Sequence, residues 1–179
     1  VNHTTREAWL TDASARLAPI LAEAGAEVGE LRVSCGWPAR GALASAKRRI
    51  GECWPGEWNK DGHSHLFVSP LLEAPVDVLG TLLHELIHAA LPAKVKHGGK
   101  FAKVAKACGL TGKPTSTVVG DGLSRRLNIE LLPALGPYPH SSIDLSAKHK
   151  TQTTRMRLYH CQCEPPVKVR AATDTLDAS

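Results

Sequence analysis

Apolar positions recur at helical spacing at the start of the chain. Trp9, Leu10, Leu17, Ile20 and Leu21 share one side of a helix over residues 5–24, and Gly25 is its stop. Pro19 is expected to kink this helix or split it in two. Polar and apolar residues alternate over 30–35, and short strands are read at 47–53 and 65–69, the last ended by Pro70. The pattern then turns strongly helical. Pro75 suits a first turn, Val76 to Leu91 contains no breaker except Gly80, and Pro92 ends the run. A further helix is predicted from about Gly98 to Cys108 with Gly109 after its end, then a strand over 115–119 and a helix over 121–135. Short strands joined by loops, followed by helices, predict an α+β domain with a small antiparallel sheet. The domain is read as residues 1–140, with a polar linker over 141–154 and a basic appendage over 155–179.

Composition narrows the class. The chain has 179 residues, 42% hydrophobic and 22% charged, the balance of a globular protein. No apolar run is long enough for a membrane span, and residues 1–7 lack the pattern of a secretory signal. Five cysteines without such a signal read as reduced thiols in a cytoplasmic protein, with Cys35, Cys53 and Cys108 as small core residues. Charge is unevenly placed. Residues 1–93 hold 8 Lys/Arg against 11 Asp/Glu, whereas residues 94–170 hold 14 against 4. A basic second half fits a polyanion such as DNA, or a solvated basic surface.

The most informative segment is His84-Glu85-Leu86-Ile87-His88, an H-E-x-x-H motif inside the strongest helix. Residues four apart lie one turn apart on one face, so both imidazoles can ligate one Zn2+ ion. Glu85 is rotated by one position, which places its carboxylate beside the metal as a base for a zinc-bound water. Two histidines and a glutamate in an otherwise apolar helix would be costly to bury without a partner. Core histidines held by hydrogen bonds are the alternative. A third histidine six residues after His88 is absent, because position 94 is Lys. His97, in His97-Gly98-Gly99-Lys100-Phe101, is therefore the expected third ligand, brought back by the turn at Pro92.

The stretch Leu82–Ala90, followed by His97-Gly98-x-x-Phe101, resembles the SprT-like zinc metallopeptidase family. Ser34-Cys35-Gly36-Trp37-Pro38 and Gly136-Pro137-Tyr138-Pro139-His140 are similar to its prokaryotic and phage branch. The resemblance implies a zincin-like domain: a three-stranded sheet, the motif helix and a helix with the third ligand. It implies zinc on His84, His88 and His97, Glu85 as general base, and a protein substrate cleaved at a peptide bond. A substrate strand pairing with the strand at 65–69 is implied as well. Spartan-type relatives cleave proteins crosslinked to DNA, which makes DNA-associated proteins the implied substrate class. His63 and His65 read as surface imidazoles.

Residues 154–163 resemble the first strand and knuckle of the zinc ribbon that often ends such proteins. The spacing here is C-x-C, at Cys161 and Cys163, and no second pair follows. A closed site needs four ligands, so the appendage is expected to be a partial or degenerate ribbon, with Cys161 and Cys163 as a candidate second metal site. Candidate nucleic-acid contacts are Lys148, Lys150, Arg155, Arg157, Lys168 and Arg170 around this module. A stripe of Lys96, Lys100, Lys103 and Lys106 beside the histidines is the other group. Two other functions stay open: a zinc-stabilised nucleic-acid-binding module without peptidase activity, and a regulatory metalloprotease that cleaves a transcription repressor.

Overall fold

In the computed structural model, residues 2–44, 47–145 and 156–172 are described. The chain divides into two compact units, Val1–Ile143 and Asp144–Ser179. The first is a mixed α+β unit. No helix among the described residues is long and apolar enough to cross a membrane.

Helix α1, Arg6–Glu23, opens on Thr5, whose hydroxyl accepts the Ala8 N–H at 3.2 Å. It runs unbroken through Pro19, against the expectation of a split. Its apolar face explains this: Trp9, Leu10, Ala13, Leu17, Ile20 and Leu21 are all buried, on both sides of the proline. Packing along the whole face outweighs the hydrogen bond that Pro19 cannot give. Gly25 ends the helix in a left-handed conformation (φ +77°).

Strands β1 (Leu31–Cys35), β2 (Gly51–Trp54) and β3 (Ser64–Val68) form a sheet in the order β1-β3-β2. The sheet is mixed, not antiparallel as expected. β1 pairs with β3 in parallel and β2 pairs with β3 antiparallel. Residues 36–50 carry the chain past the place β3 will fill, and β3 then returns between its predecessors. The strand at 64–68 is thus central, with both edges bonded, and cannot receive a substrate strand. The free edge nearest the motif helix belongs to β2. β2 is also shorter than predicted, because Lys47 is left-handed (φ 53°) and the Arg49 N–H bonds back to Gly41 at 3.1 Å.

Helix α2, Pro75–Ala90, packs across one face of the sheet, with Val78, Leu79, Leu82, Leu83, Leu86 and Ile87 buried. Helix α3, Gly99–Ala107, buries Phe101, Val104 and Ala105. Strands β4 (Leu110–Lys113) and β5 (Ser116–Val119) form a hairpin. The segment predicted as one helix over 121–135 is three pieces: α4 (Asp121–Arg126), a π-helical turn (Leu127–Leu131) and α5 (Leu132–Leu135). Pro133 has no N–H for the carbonyl one turn back, and the wider turn still keeps Leu127, Leu131 and Leu135 in the core.

The second unit contains the antiparallel pair β6 (Met156–His160) and β7 (Lys168–Ala172). Cys161 follows β6, and its Sγ accepts the N–H groups of Cys163 and Val167 at 3.3 and 3.2 Å.

Candidate metal centre

His84 and His88 project from one side of α2, and His97 comes to them from the turn that precedes α3. Pro92 ends α2 and a single 3-10 turn, Ala93–Val95, reverses the chain. Lys96 then takes φ 47° and ψ −133°, a conformation that side chains with a Cβ rarely adopt. That bend delivers His97. Replacing Lys96 with Gly is expected to raise stability by about 1 kcal/mol, since relief of strain exceeds the entropy glycine adds. Thermal melting checks this, with metal content unchanged; a lower melting temperature would show that the bend is unstrained.

The Nε2 atom of His97 lies 3.1 Å from Nε2 of His84 and 3.0 Å from Nε2 of His88. Phe101 lies against all three rings, with centroids 4.5–5.0 Å away. Tetrahedral zinc at about 2.0–2.1 Å from each nitrogen sets the nitrogens about 3.3 Å apart, so the cluster is close to that spacing. Neutral imidazoles carry one ring proton each. His97 Nε2 faces two nitrogens at once, and one proton cannot satisfy both contacts. A shared cation can. Burial and the neighbouring rings push His84 down to about 3 and His88 to about 4, and burial also lowers His97. The rings are thus neutral and free to donate lone pairs. Among the described residues, this is the group of three side chains that could hold a metal ion.

The other nitrogen of His84, Nδ1, lies 2.8 Å from the Thr117 hydroxyl on β5. With Nδ1–H donating to this hydroxyl, Nε2 keeps the lone pair that a metal needs. The hairpin approaches so closely because position 80 is glycine: a Cβ there would lie 2.4 Å from Val119 Cγ2. Replacing Thr117 with Val is expected to weaken metal binding about 10- to 100-fold. Competition against a chromophoric chelator measures it, and unaltered affinity would remove Thr117 from the site.

Glu85, turned about 100° round the helix from His84, lies against β2. A Cβ on Gly51 would lie 2.5 Å from Glu85 Oε1, so only glycine lets the strand backbone meet the carboxylate. Glu85 is buried, and among the described residues no donor hydrogen-bonds it. Burial, then the charge of Glu52, pushes it up to about 8, with Arg49 opposing. Arg49 lies within electrostatic reach of both Glu85 and His97 and is paired with Glu52 at 2.7 Å. Cys53 stays a thiol, pushed up to about 12 by burial and by Glu85. Sequence reasoning missed Thr117, Gly51, Gly80 and Arg49, since their roles depend on which elements meet.

The remaining candidates are scattered. Lys100, Lys103 and Lys106 are exposed along α3, while Lys96 sits in the bend before it and not on the helix face. Arg157, Lys168 and Arg170 are exposed on β6 and β7. Lys148, Lys150 and Arg155 lie outside the described residues. Cys161 and Cys163 are free thiols, and among the described residues they belong to no group of three metal-binding side chains. Cys108 is buried as expected, but Cys35 and Cys53 are only half-buried at the margin of the core. His63 bonds Glu30 at 2.9 Å, and His65 lies 3.1 Å from Arg32.

No family model, curated protein or solved structure significantly matches the chain.

Proposed function

We propose that the protein is a zinc-dependent endopeptidase of the SprT-like, zincin type. The observation that carries this reading is the convergence of three imidazole nitrogens on one point, two of them from the helix that also carries Glu85. His84, His88 and His97 would hold the ion, leaving a fourth position for water. Bound zinc would supply Lewis acidity, bringing the pKa of water toward about 7 and polarising a peptide carbonyl. Glu85 takes the proton from the attacking water and delivers it to the leaving amine. Burial pushes Glu85 up to about 8, and the positive charge of an ion on the three histidines would draw it back down and favour the carboxylate that accepts the proton.

Substrate would be held as an extended strand. The β2 edge is unpaired within the sheet and runs beside Glu85, touching it at Gly51. Backbone pairing there would fix the scissile bond without reading side chains. Denatured casein tests the activity. The zinc-loaded protein is expected to cleave it, a chelator to stop cleavage, and added zinc to restore it. A protein that binds one equivalent of zinc and cleaves neither casein nor itself would instead be a zinc-stabilised module.

A further inference from the structure

The loop between β6 and β7 brings two thiols together outside the metal centre. A reciprocal contact fastens its ends: the Cys161 N–H donates to the Val167 carbonyl at 3.0 Å, and the Val167 N–H donates to Cys161 Sγ at 3.2 Å. The Cys163 N–H donates to the same sulfur at 3.3 Å. Neutral sulfur is a weak acceptor, and two backbone donors aimed at one thiol favour its thiolate. Pro165 and Pro166 fix two φ angles between Cys161 and Val167, which holds the Val167 donor in place.

Cys163 completes the pair. One residue separates the two cysteines, and the chain folds so that the Cys163 N–H meets Cys161 Sγ, which brings both side chains within disulfide reach. The Cys163 side chain, then the Val167 and Cys163 N–H groups, hold Cys161 below the ordinary thiol range, and Cys161 in turn holds Cys163 above it. The first unit behaves differently. Burial pushes Cys53 up to about 12 and Cys108 up to about 11, which keeps both as thiols. Cys161 is half-buried and Cys163 is exposed. A solvent-accessible thiolate with a second thiol beside it is the arrangement of a redox-reactive pair. A closed zinc site takes four ligands, and among the described residues no third metal-binding side chain joins these two. Arg157, Lys168 and Arg170 are exposed on the two strands and outnumber Glu164 in the loop, so the hairpin is basic and suits an anionic reactant.

We propose that Cys161 and Cys163 form a reversible disulfide by thiol–disulfide exchange with a small anionic disulfide of the glutathione type. The Cys161 thiolate attacks one sulfur of the small disulfide. That S–S bond breaks, a mixed disulfide forms on Cys161, and one small thiolate leaves and takes up a proton. Cys163 gives its proton to water and attacks Cys161 Sγ. The Cys161–Cys163 bond forms as the second small thiolate leaves and is protonated in turn. Two electrons pass from the protein thiols to the small disulfide, which ends as two thiols. The pair belongs to the second unit, and the proposal does not rest on the peptidase reading.

Glutathione disulfide, added to the reduced full chain at neutral pH, tests this, with the remaining thiols alkylated and mapped by mass spectrometry. Wild type is expected to lose two of its five alkylation sites, both in the peptide that holds Cys161 and Cys163, with no glutathione attached, and to regain them in dithiothreitol. Cys163→Ser is expected to stop after the first step and carry one glutathione on Cys161. Cys161→Ser is expected to leave Cys163 free. Because only the thiolate reacts, Cys161 of the reduced wild type should label with iodoacetamide at a lower pH than Cys163. A pair left unoxidised in wild type would overturn the proposal. So would a glutathione adduct that persists on wild-type Cys161, a disulfide between two chains in place of the intrachain bond, or a second zinc in wild type that Cys161→Ser loses. The wild-type map needs no variant, so it decides the matter even where a serine variant fails to fold.

Discussion

Replacing Glu85 with Gln is expected to leave zinc bound and to lower the cleavage rate by about 10²- to 10⁴-fold. The amide keeps the shape of the side chain against Gly51, so β2 and α2 stay in place. It cannot accept the proton of the attacking water. No metal ligand is touched, since the three imidazoles come from His84, His88 and His97. The fold should also tolerate the change, because burial pushes Glu85 up to about 8, so at pH 7 and without an ion a neutral, similarly shaped side chain already occupies the place. A casein assay beside elemental analysis of the same preparation reads both effects. Cleavage by the variant at the wild-type rate would assign the base elsewhere.

The largest expected effect on stability comes from a residue far from this chemistry. Arg6 is 5% exposed, and its guanidinium donates to the carbonyls of Pro70, Pro139, His140 and Ser141 at 2.8–3.2 Å. It also lies 4.7 Å from the centre of the Tyr138 ring. One side chain at the start of α1 thus ties down the segment that closes the unit. The indole of Trp9 adds a bond to the Gly136 carbonyl at 3.1 Å. Arg6→Ala removes every guanidinium bond, leaving the buried Pro70 carbonyl and three part-buried ones without this donor, at a cost of roughly 3 kcal/mol. For a unit of this size the melting temperature should fall by about 10 °C. Arg6→Lys should recover only part of the loss, because an ammonium cannot span several carbonyls in one plane. A shift of only a degree or two for Arg6→Ala would mean that the closing segment holds itself.

These two residues show what could be read from the sequence. Glu85 was visible because its neighbours repeat at helical spacing and because Pro75 and Pro92 bracket the helix. His97 was found by elimination and by the turn at Pro92, both local features. Arg6 looks like any charged residue in a first turn, since the carbonyls it meets lie far along the chain. Thr117 was equally silent: its role requires the hairpin to pack on α2, which Gly80 permits. The sheet was predicted in content and missed in order, because parallel pairing of β1 with β3 depends on where residues 36–50 lead the chain. The same loop turns Trp37 toward Trp54, which no spacing in the sequence reveals.

Every effect expected of the metal centre requires that His84, His88 and His97 hold one divalent ion. Elemental analysis of the purified chain tests it, with His97→Ala prepared in parallel. His97 Nε2 is the nitrogen common to both short contacts, so its loss leaves only the His84 and His88 pair. Wild type is expected to carry about one zinc per chain and the variant to retain little metal after dialysis, with both proteins folded. A wild-type protein without metal after growth in zinc-supplemented medium, or a His97→Ala variant that keeps one zinc per chain, would contradict it.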